Sequence, residues 1–390
     1  KIKYLRTSAL APNGKMIAFT VEWMDKKDNK YYSNLYVAGS NGKIRHFIRG
    51  KKNLFMPKWS PDGRTIAFLM TEKEKTNIWA IPADGGEAYP ITDTEGSFGK
   101  FLWTPDVKGL ICEFTEKKID PDQQPDKDKP PLYYRITKPV YKLDNAGMLP
   151  LERPHIWKIN VRSGKMKQIT FGPNGDGDPA ISRDGRKIAY ISNRQKDPYE
   201  KPMYSDLFVS DLEGRKETRL STPAGPKGRP AFSPDGQSVA YIACENPEDF
   251  SIRYDNIWSI PLGGGKAVNL TDRYGLCVGD SVIDDLGAHG DVFLMYDRKS
   301  ANIYFPVTER GAAVIYRVEI AARKVTRIMG DKERIFTFDF DGNDTFALAI
   351  STPANPGDLF LAAGGKRMRI TDLNRDLLSR RRVAQPEEFW

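Results

Sequence analysis

The chain has 390 residues, 39% of them hydrophobic and 28% charged, with 60 Lys and Arg against 51 Asp and Glu for a formal net charge of +9. That composition can bury a sizeable core and excludes intrinsic disorder, and no run reaches the about eighteen apolar residues that a membrane helix needs. Basic residues are interleaved with acids, as in "TEKEKT" and "DKDKP", and the one tight cluster is Arg380, Arg381 and Arg382, so the charge reads as a solvated surface with no nucleic-acid and no membrane partner.

In chain order, one hairpin recurs: "ALAPNGKMIAF" (9–19), "KWSPDGRTIAF" (58–68), "LWTPDVKGLICEF" (102–114), "AISRDGRKIAY" (180–190), "AFSPDGQSVAY" (231–241), "LMYDRKSANIYF" (294–305) and "DFDGNDTFALAI" (339–350). Pro presets φ at the first turn position, Asp bonds its own backbone and Gly accepts the left-handed conformation, which predicts a tight reverse turn between two strands. A second half follows each hairpin, as in "NIWAIPADGGEAYPIT" (77–92), "HIWKINVRSGKMKQIT" (155–170) and "NIWSIPLGGGKAVNLT" (256–271). It is an apolar strand opened by Asn, Asp or His, then a turn, then a more polar strand ending in Thr or Ser.

Each unit therefore has four strands. The second-strand markers Ile17, Ile66, Leu110, Ile188, Val239, Ile303 and Phe346 are separated by 49, 44, 78, 51, 64 and 43 residues. Such units read as propeller blades, because a lone four-stranded blade exposes two apolar faces and must stack on neighbours around a ring. The expected fold is all-β, a seven-bladed propeller of four-stranded antiparallel blades over 1–371, followed by an exit linker over 372–390. The sixth repeat is the least regular, and a six-bladed ring with an irregular segment is the competing count. Ring closure is expected from packing, without a strand shared between the first and last blades.

Two intervals are long. The 78-residue step holds an insertion at about 116–154, between the second and third strands of blade three, and the 64-residue step lengthens the connection into blade six. Connections between second and third strands leave on the same face as those between blades, opposite the "SPDG" turns. That face is the expected working face. On it, "LYYRITKPVYKL" (132–143) reads as an edge hairpin, and Arg194 in "ISNRQKDP" presents a planar guanidinium able to hold a carboxylate in bidentate fashion or to form a structural salt bridge.

Catalytic groups are scarce. His46, His155 and His289 are the only histidines, none lies near a G-x-S-x-G elbow, and His155 occupies the strand-opening position held elsewhere by Asn77, Asp206 and Asn256. No catalytic residue, metal ligand or cofactor is expected from this chain. "NGDGDP" (174–179) lacks the spaced acids of a calcium loop and reads as a turn between blades. Cys112, Cys244 and Cys277 have no metal spacing and suit a reducing compartment, so the cytoplasm is the expected location. The opening "KIKYLRTSALAPNG" has no secretory core, but the chain starts without Met, which leaves a preceding targeting segment open.

Taken together, the "SPDGR.IAF" and "NIW.IP..GG....IT" repeats, the insertion "LYYRITKPVYKLDNAGMLPLERPHIWKI", "DPAISRDGRKIAYISNRQKDP" and the exit "ITDLNRDLLSRRRVAQPEEFW" resemble the propeller half of prolyl-oligopeptidase-type (S9) serine peptidases, the acylaminoacyl-peptidase-like branch best. The resemblance implies a filter that admits short or N-blocked peptides to an α/β-hydrolase domain of the same parent protein, a domain that carries the Ser-Asp-His triad and begins where this sequence ends. The chain alone would then be inactive. Tyr133, Arg135, Tyr141 and Arg194 would face the chamber or the hydrolase, and a homo-oligomer is a further partner in that reading. TolB-like propellers share the single repeats, so a free-standing protein-binding scaffold is the alternative.

Overall fold

The computed structural model describes the chain except residues 74, 118–135, 137–140, 144–146, 149–151, 250–253, 284–292, 388 and 390. Its strands form consecutive antiparallel sheets. Five have four strands each, running from Lys3 to Ile48, Asn53 to Pro90, Gly96 to Gln168, Asp176 to Arg219 and Lys227 to Asn269. The strands from Cys277 to Arg369 form one nine-stranded sheet whose two halves meet through a single parallel pair, Ala313 with Arg334. Before that pair lie Asn302–Glu309, Ala312–Glu319 and Lys324–Met329, with the short pieces Cys277–Val278 and Met295–Tyr296 on the edge. After it, Arg334–Phe340, Phe346–Thr352, Asn355–Ala363 and Lys366–Arg369 repeat the four-strand meander. These halves are the sixth and seventh repeats below, and the irregular hairpin "LMYDRKSANIYF" does form, through Met295 with Tyr304 and Tyr296 with Ile303.

The repeated turn residues build one device. Ser60, Thr104, Ser182 and Ser233 each donate a hydroxyl hydrogen bond at 2.6 Å to the Asp two positions on, and that Asp caps the next turn N–H. Gly63, Gly185 and Gly236 take φ near 70°. In the third sheet Val107 fills this position at φ 56°, a costly conformation for a β-branched residue.

The opposite end is latched by the Asn/Asp and Thr of the second half-repeat. Thr92 donates to Asn77 Oδ1 at 2.8 Å, Thr271 to Asn256 Oδ1 at 2.8 Å and Thr371 to Asp358 Oδ1 at 2.6 Å, while each Thr oxygen accepts a third-strand N–H, from Ile78, Ile257 and Leu359. The sequence signature therefore ties the fourth strand of a sheet to its third at the loop end.

The core lies between sheets. One apolar cluster joins the first and second sheets around Leu35, Ile66 and Phe68, and another joins the fourth and fifth around Leu207, Val239 and Tyr241. A further cluster packs Leu5, Ile17 and Phe19 of the first sheet against Ala347, Leu359 and Leu361 of the last. No ladder pairs the first strand with the last among the described residues. Two part-buried ties reinforce that junction: Leu10 N–H donates to Asp339 Oδ2 at 2.7 Å, and the Asn374 amide bonds both the N–H and the C=O of Lys3 at 2.8 Å.

First strands of neighbouring sheets lie against one another and form the inner side, Lys3–Leu10 against Asn53–Trp59 and against Arg334–Phe340, and Asp176–Ile181 against Gly96–Trp103 and Lys227–Phe232. Trp59 Nε1 donates to Ala9 C=O at 2.9 Å and Trp103 Nε1 to Lys58 C=O at 3.2 Å, linking successive inner strands. Lys58 Nζ also lies 5.4 Å from the ring centroid of Phe293, so inner residues of the second and sixth repeats meet. Among the described residues no helix is long and apolar enough to cross a membrane.

Candidate functional site: a charged clamp at the loop end

The loop end of the fourth sheet gathers a polar cluster. Asp176 opens the first strand, Tyr190 and Ser192 end the second, Arg194 follows it, Phe208 sits on the third and Glu217 precedes the fourth. Tyr190 and Phe208 stack at 5.7 Å between centroids, and the Arg194 guanidinium lies 4.1 Å from the Phe208 ring centroid. Arg194 grips Glu217 with both nitrogens, Nη2 donating to Oε2 at 2.9 Å, and Nη2 also reaches Asp176 Oδ1 at 3.3 Å. Tyr190 OH donates to the same Glu217 carboxylate. One guanidinium thus clamps all four strands.

The electrostatics follow from that packing. Burial alone would push the Asp176 carboxyl up, but hydrogen bonds from His155, Thr170 and Ser192 and the Arg194 charge outweigh it and leave the carboxyl below its usual range. His155 Nδ1 is 2.9 Å from Asp176 Oδ2. The Arg194 hydrogen bond lowers Glu217, and burial with bonding to Glu217 raises Tyr190. Because Glu217 already fills the bidentate face of Arg194, an incoming carboxylate must displace it. The cluster is therefore a preorganised clamp, and a cavity opens beside it.

That cavity, about 310 Å³, is lined by Glu116, Glu152, Arg153, His155, Trp157 and neighbours at the loop end of the third sheet. Arg153 bonds Tyr199 OH and lies 5.3 Å from that ring's centroid, so the connection after Arg194 closes over the cavity's edge. His46 packs on Tyr36 at 4.2 Å between centroids, and neither it nor His155 bonds a serine or cysteine among the described residues. Among those residues no group of three or more His, Cys, Asp or Glu is placed to hold a metal.

Of the residues expected at the working face, Arg194 is the clamp just described. Tyr141 is exposed beside the small ladder of Lys142–Leu143 with Gly147–Met148, apart from the clamp. Tyr133 and Arg135 lie outside the described residues. The expected turn "NGDGDP" is reassigned: Asp176 to Pro179 belong to the inner strand Asp176–Ile181, whose ladder skips between Gly177 and Ala180. A bulge tolerates Pro because the residue there owes no ladder hydrogen bond. Sequence reasoning missed Asn374, although it stands in the quoted exit motif; its signal is a buried amide that pairs a backbone 371 positions away.

No family model matches the chain. It is 26% identical over 97% of its length to an uncharacterized peptidase, YuxL, of Bacillus subtilis, and spans 58% of that protein. The acylaminoacyl peptidase of Pyrococcus horikoshii superposes over all of the chain with a TM-score of 0.77 at 16% identity, again with 55% of the larger protein covered. The propeller domain of the trilobed protease from Pyrococcus furiosus, which has an open velcro topology, is matched over 97% of this chain and 98% of its own, with a TM-score of 0.67 at 17% identity. The chain is a propeller, similar along nearly its whole length to part of a larger peptidase. As such a propeller it spans little more than half of the peptidase relatives it matches, and it carries its long connections and its clamp at one end of the sheets.

Proposed function

We propose that residues 1–371 form a closed seven-bladed propeller, with 372–390 as an exit segment, and that it gates and caps an α/β-hydrolase domain of a serine-type peptidase acting on short or N-blocked peptides. The observation that carries this reading is that the chain superposes over its whole length on a peptidase of which it covers only 55%. Large apolar side chains are exposed at the loop end, Tyr31 at the start of the first sheet's third strand, Phe171 between the third and fourth sheets and Tyr254 between the second and third strands of the fifth. Both chain ends also arrive there, since Asn374 ties the exit segment to Lys3. A docking domain joined through residue 390 would cover that face, and peptides would reach it past the inner strands. The cluster joining first and last sheets supports a closed ring, and the bipartite nine-stranded sheet supports the count of seven.

In this reading the chain supplies no reacting group. Its chemistry is selection and positioning: the clamp around Arg194 holds the cavity wall. The test is to express the complete gene product and assay N-acyl dipeptide amides against a folded protein substrate. Cleavage of the short substrates alone is expected, together with loss of the size limit when the first and last sheets are unlatched by Asn374→Ala. A gene product with no hydrolase, recovered in a stable multiprotein complex, would instead assign the chain to scaffold propellers.

A further inference from the structure

The inner strands of the third, fourth and fifth sheets carry charge that their packing does not require. Their ladders skip register at equivalent points, and the skipped residues are Gly99 with Lys100, Asp178 with Pro179, and Arg229 with Pro230. Asp178 and Arg229 adopt φ of 53° and 55°, as Met56 does at 54° in the matching bulge of the second sheet, so the conformation belongs to the bulge. A bulge re-aims its side chain relative to the regular strand. Here the re-aimed groups meet across three sheets. Lys100 Nζ is 3.0 Å from Asp178 Oδ1, the Asp178 N–H donates to Glu113 Oε2 at 2.9 Å, and the Arg229 N–H donates to Asp178 Oδ2.

The Arg229 side chain is left over. Among the described residues its guanidinium makes no hydrogen bond; its ion pair with Asp178 is 3.9 Å long and the side chain is 41% exposed. Asp178, by contrast, is already engaged by Lys100 and by a backbone N–H. Two cations, Lys100 and Arg229, therefore stand beside two carboxylates, Asp178 and Glu113, each of which already accepts a backbone N–H, while the planar fork of Arg229 faces solvent.

We propose that Arg229, with Lys100 beside it, receives the carboxylate of a peptide at the inner strands and so biases the propeller toward acidic or free-C-terminal peptides. This rests on the peptide-gating reading above. An acidic side chain and a free C-terminus present the same chemistry, and the probes separate them: trialanine as free acid, trialanine amide, Ala-Glu-Ala amide, and glutarate as a bare dicarboxylate.

Calorimetric titration of the full chain is expected to show the carboxylate-bearing peptides binding about tenfold more tightly than the neutral amide, an advantage that fades with added salt. Preference for the free acid over Ala-Glu-Ala amide assigns the terminus, and the reverse assigns a side chain. Arg229→Asn, chosen because Asn tolerates positive φ, removes the advantage; Lys100→Met reduces it if the first variant does not fold. Asp178→Asn, which keeps an acceptor for the Arg229 N–H but removes the competing charge, increases it. A purely structural role would not give these opposite signs. Equal binding of acidic and neutral peptides overturns the carboxylate site and leaves peptide gating standing. Glutarate binding that depends on Arg229, with no peptide bound, overturns the peptide assignment, and silence from all four probes overturns both readings.

Discussion

The fourth and fifth sheets share a backbone plan and invert its charges. Tyr190 and Phe208 correspond to Tyr241 and Trp258, stacked in each case. Around that common aromatic pair, Asp176 is replaced by Lys227, Asp178 by Arg229, Arg194 by Glu245 and Glu217 by Ala267. In the fourth sheet the tyrosine hydroxyl and the guanidinium share one carboxylate. In the fifth, Tyr241 OH and Trp258 Nε1 are buried with no hydrogen-bond partner among the described residues. Lys227 turns to the C=O groups of Ser205 and Gly225 at 2.6 and 3.0 Å, holding the fifth sheet's first strand to the loop of the fourth. The apolar face sets where sheets stack, while the polar loop end is free to differ from blade to blade.

The sharpest way to break the comparison is at the arginine. Arg194→Met strips the buried Asp176 of its cation while leaving His155 beside it, and a loss of about 2 to 3 kcal/mol is expected, below the about 3 to 5 kcal/mol of a fully buried pair because the Arg194 side chain is 30% exposed. Glu245→Ala, at the equivalent but exposed position, is expected to change stability by less than about 0.5 kcal/mol. Urea denaturation of the two variants side by side checks the pair, and equal losses would remove the clamp's special standing.

Titration separates the two sheets next. The Asp176 and Glu217 carboxyls are depressed in the fold, so their stabilisation is fully present at neutral pH and is lost as pH falls below the ordinary carboxylate range, where the unfolded chain takes up protons first. Lys227 behaves in the other direction. Burial pulls its ammonium down to about 8, so above that pH the folded chain holds fewer protons than the unfolded one and stability rises until the ordinary lysine range is reached. Thermal melts from pH 3 to 10 are expected to show an acid loss that is shallower in Arg194→Met and an alkaline gain that vanishes in Lys227→Met.

The smallest effects test the hydroxyls. Tyr190→Phe removes a hydrogen bond to Glu217 and is expected to cost about 1 kcal/mol, whereas Tyr241→Phe removes a buried hydroxyl that bonds nothing among the described residues and is expected to be neutral or slightly stabilising. Opposite signs in a denaturant midpoint comparison support the contrast, and a cost at Tyr241 would reveal a partner for its hydroxyl.

Much of the scaffold was legible before any coordinates. The Ser-Pro-Asp-Gly turns were readable because each bond in them closes within a few residues, as Ser60 with Asp62 shows. The strand-opening Asn and strand-closing Thr were visible as a pattern, although their mutual hydrogen bond, Thr92 to Asn77, was not. The inner-strand bulges escaped because Gly177 and Pro179 look locally like a turn, and only the neighbouring ladder makes them strand. Arg194 was singled out by type and place, but its grip on Glu217 spans 23 positions and a change of strand.

What the sequence determined by itself was therefore local and periodic: four-stranded meanders, their turns, and the single end to which long connections are confined. Tertiary structure decided the pairings between distant polar groups, Asn374 with Lys3 and Lys100 with Asp178 among them. The physical reason is range. Turn chemistry and strand alternation act over a few residues and are written into adjacent letters, whereas a charge chooses its partner only after stacked sheets have brought strands from separate repeats within a few ångströms.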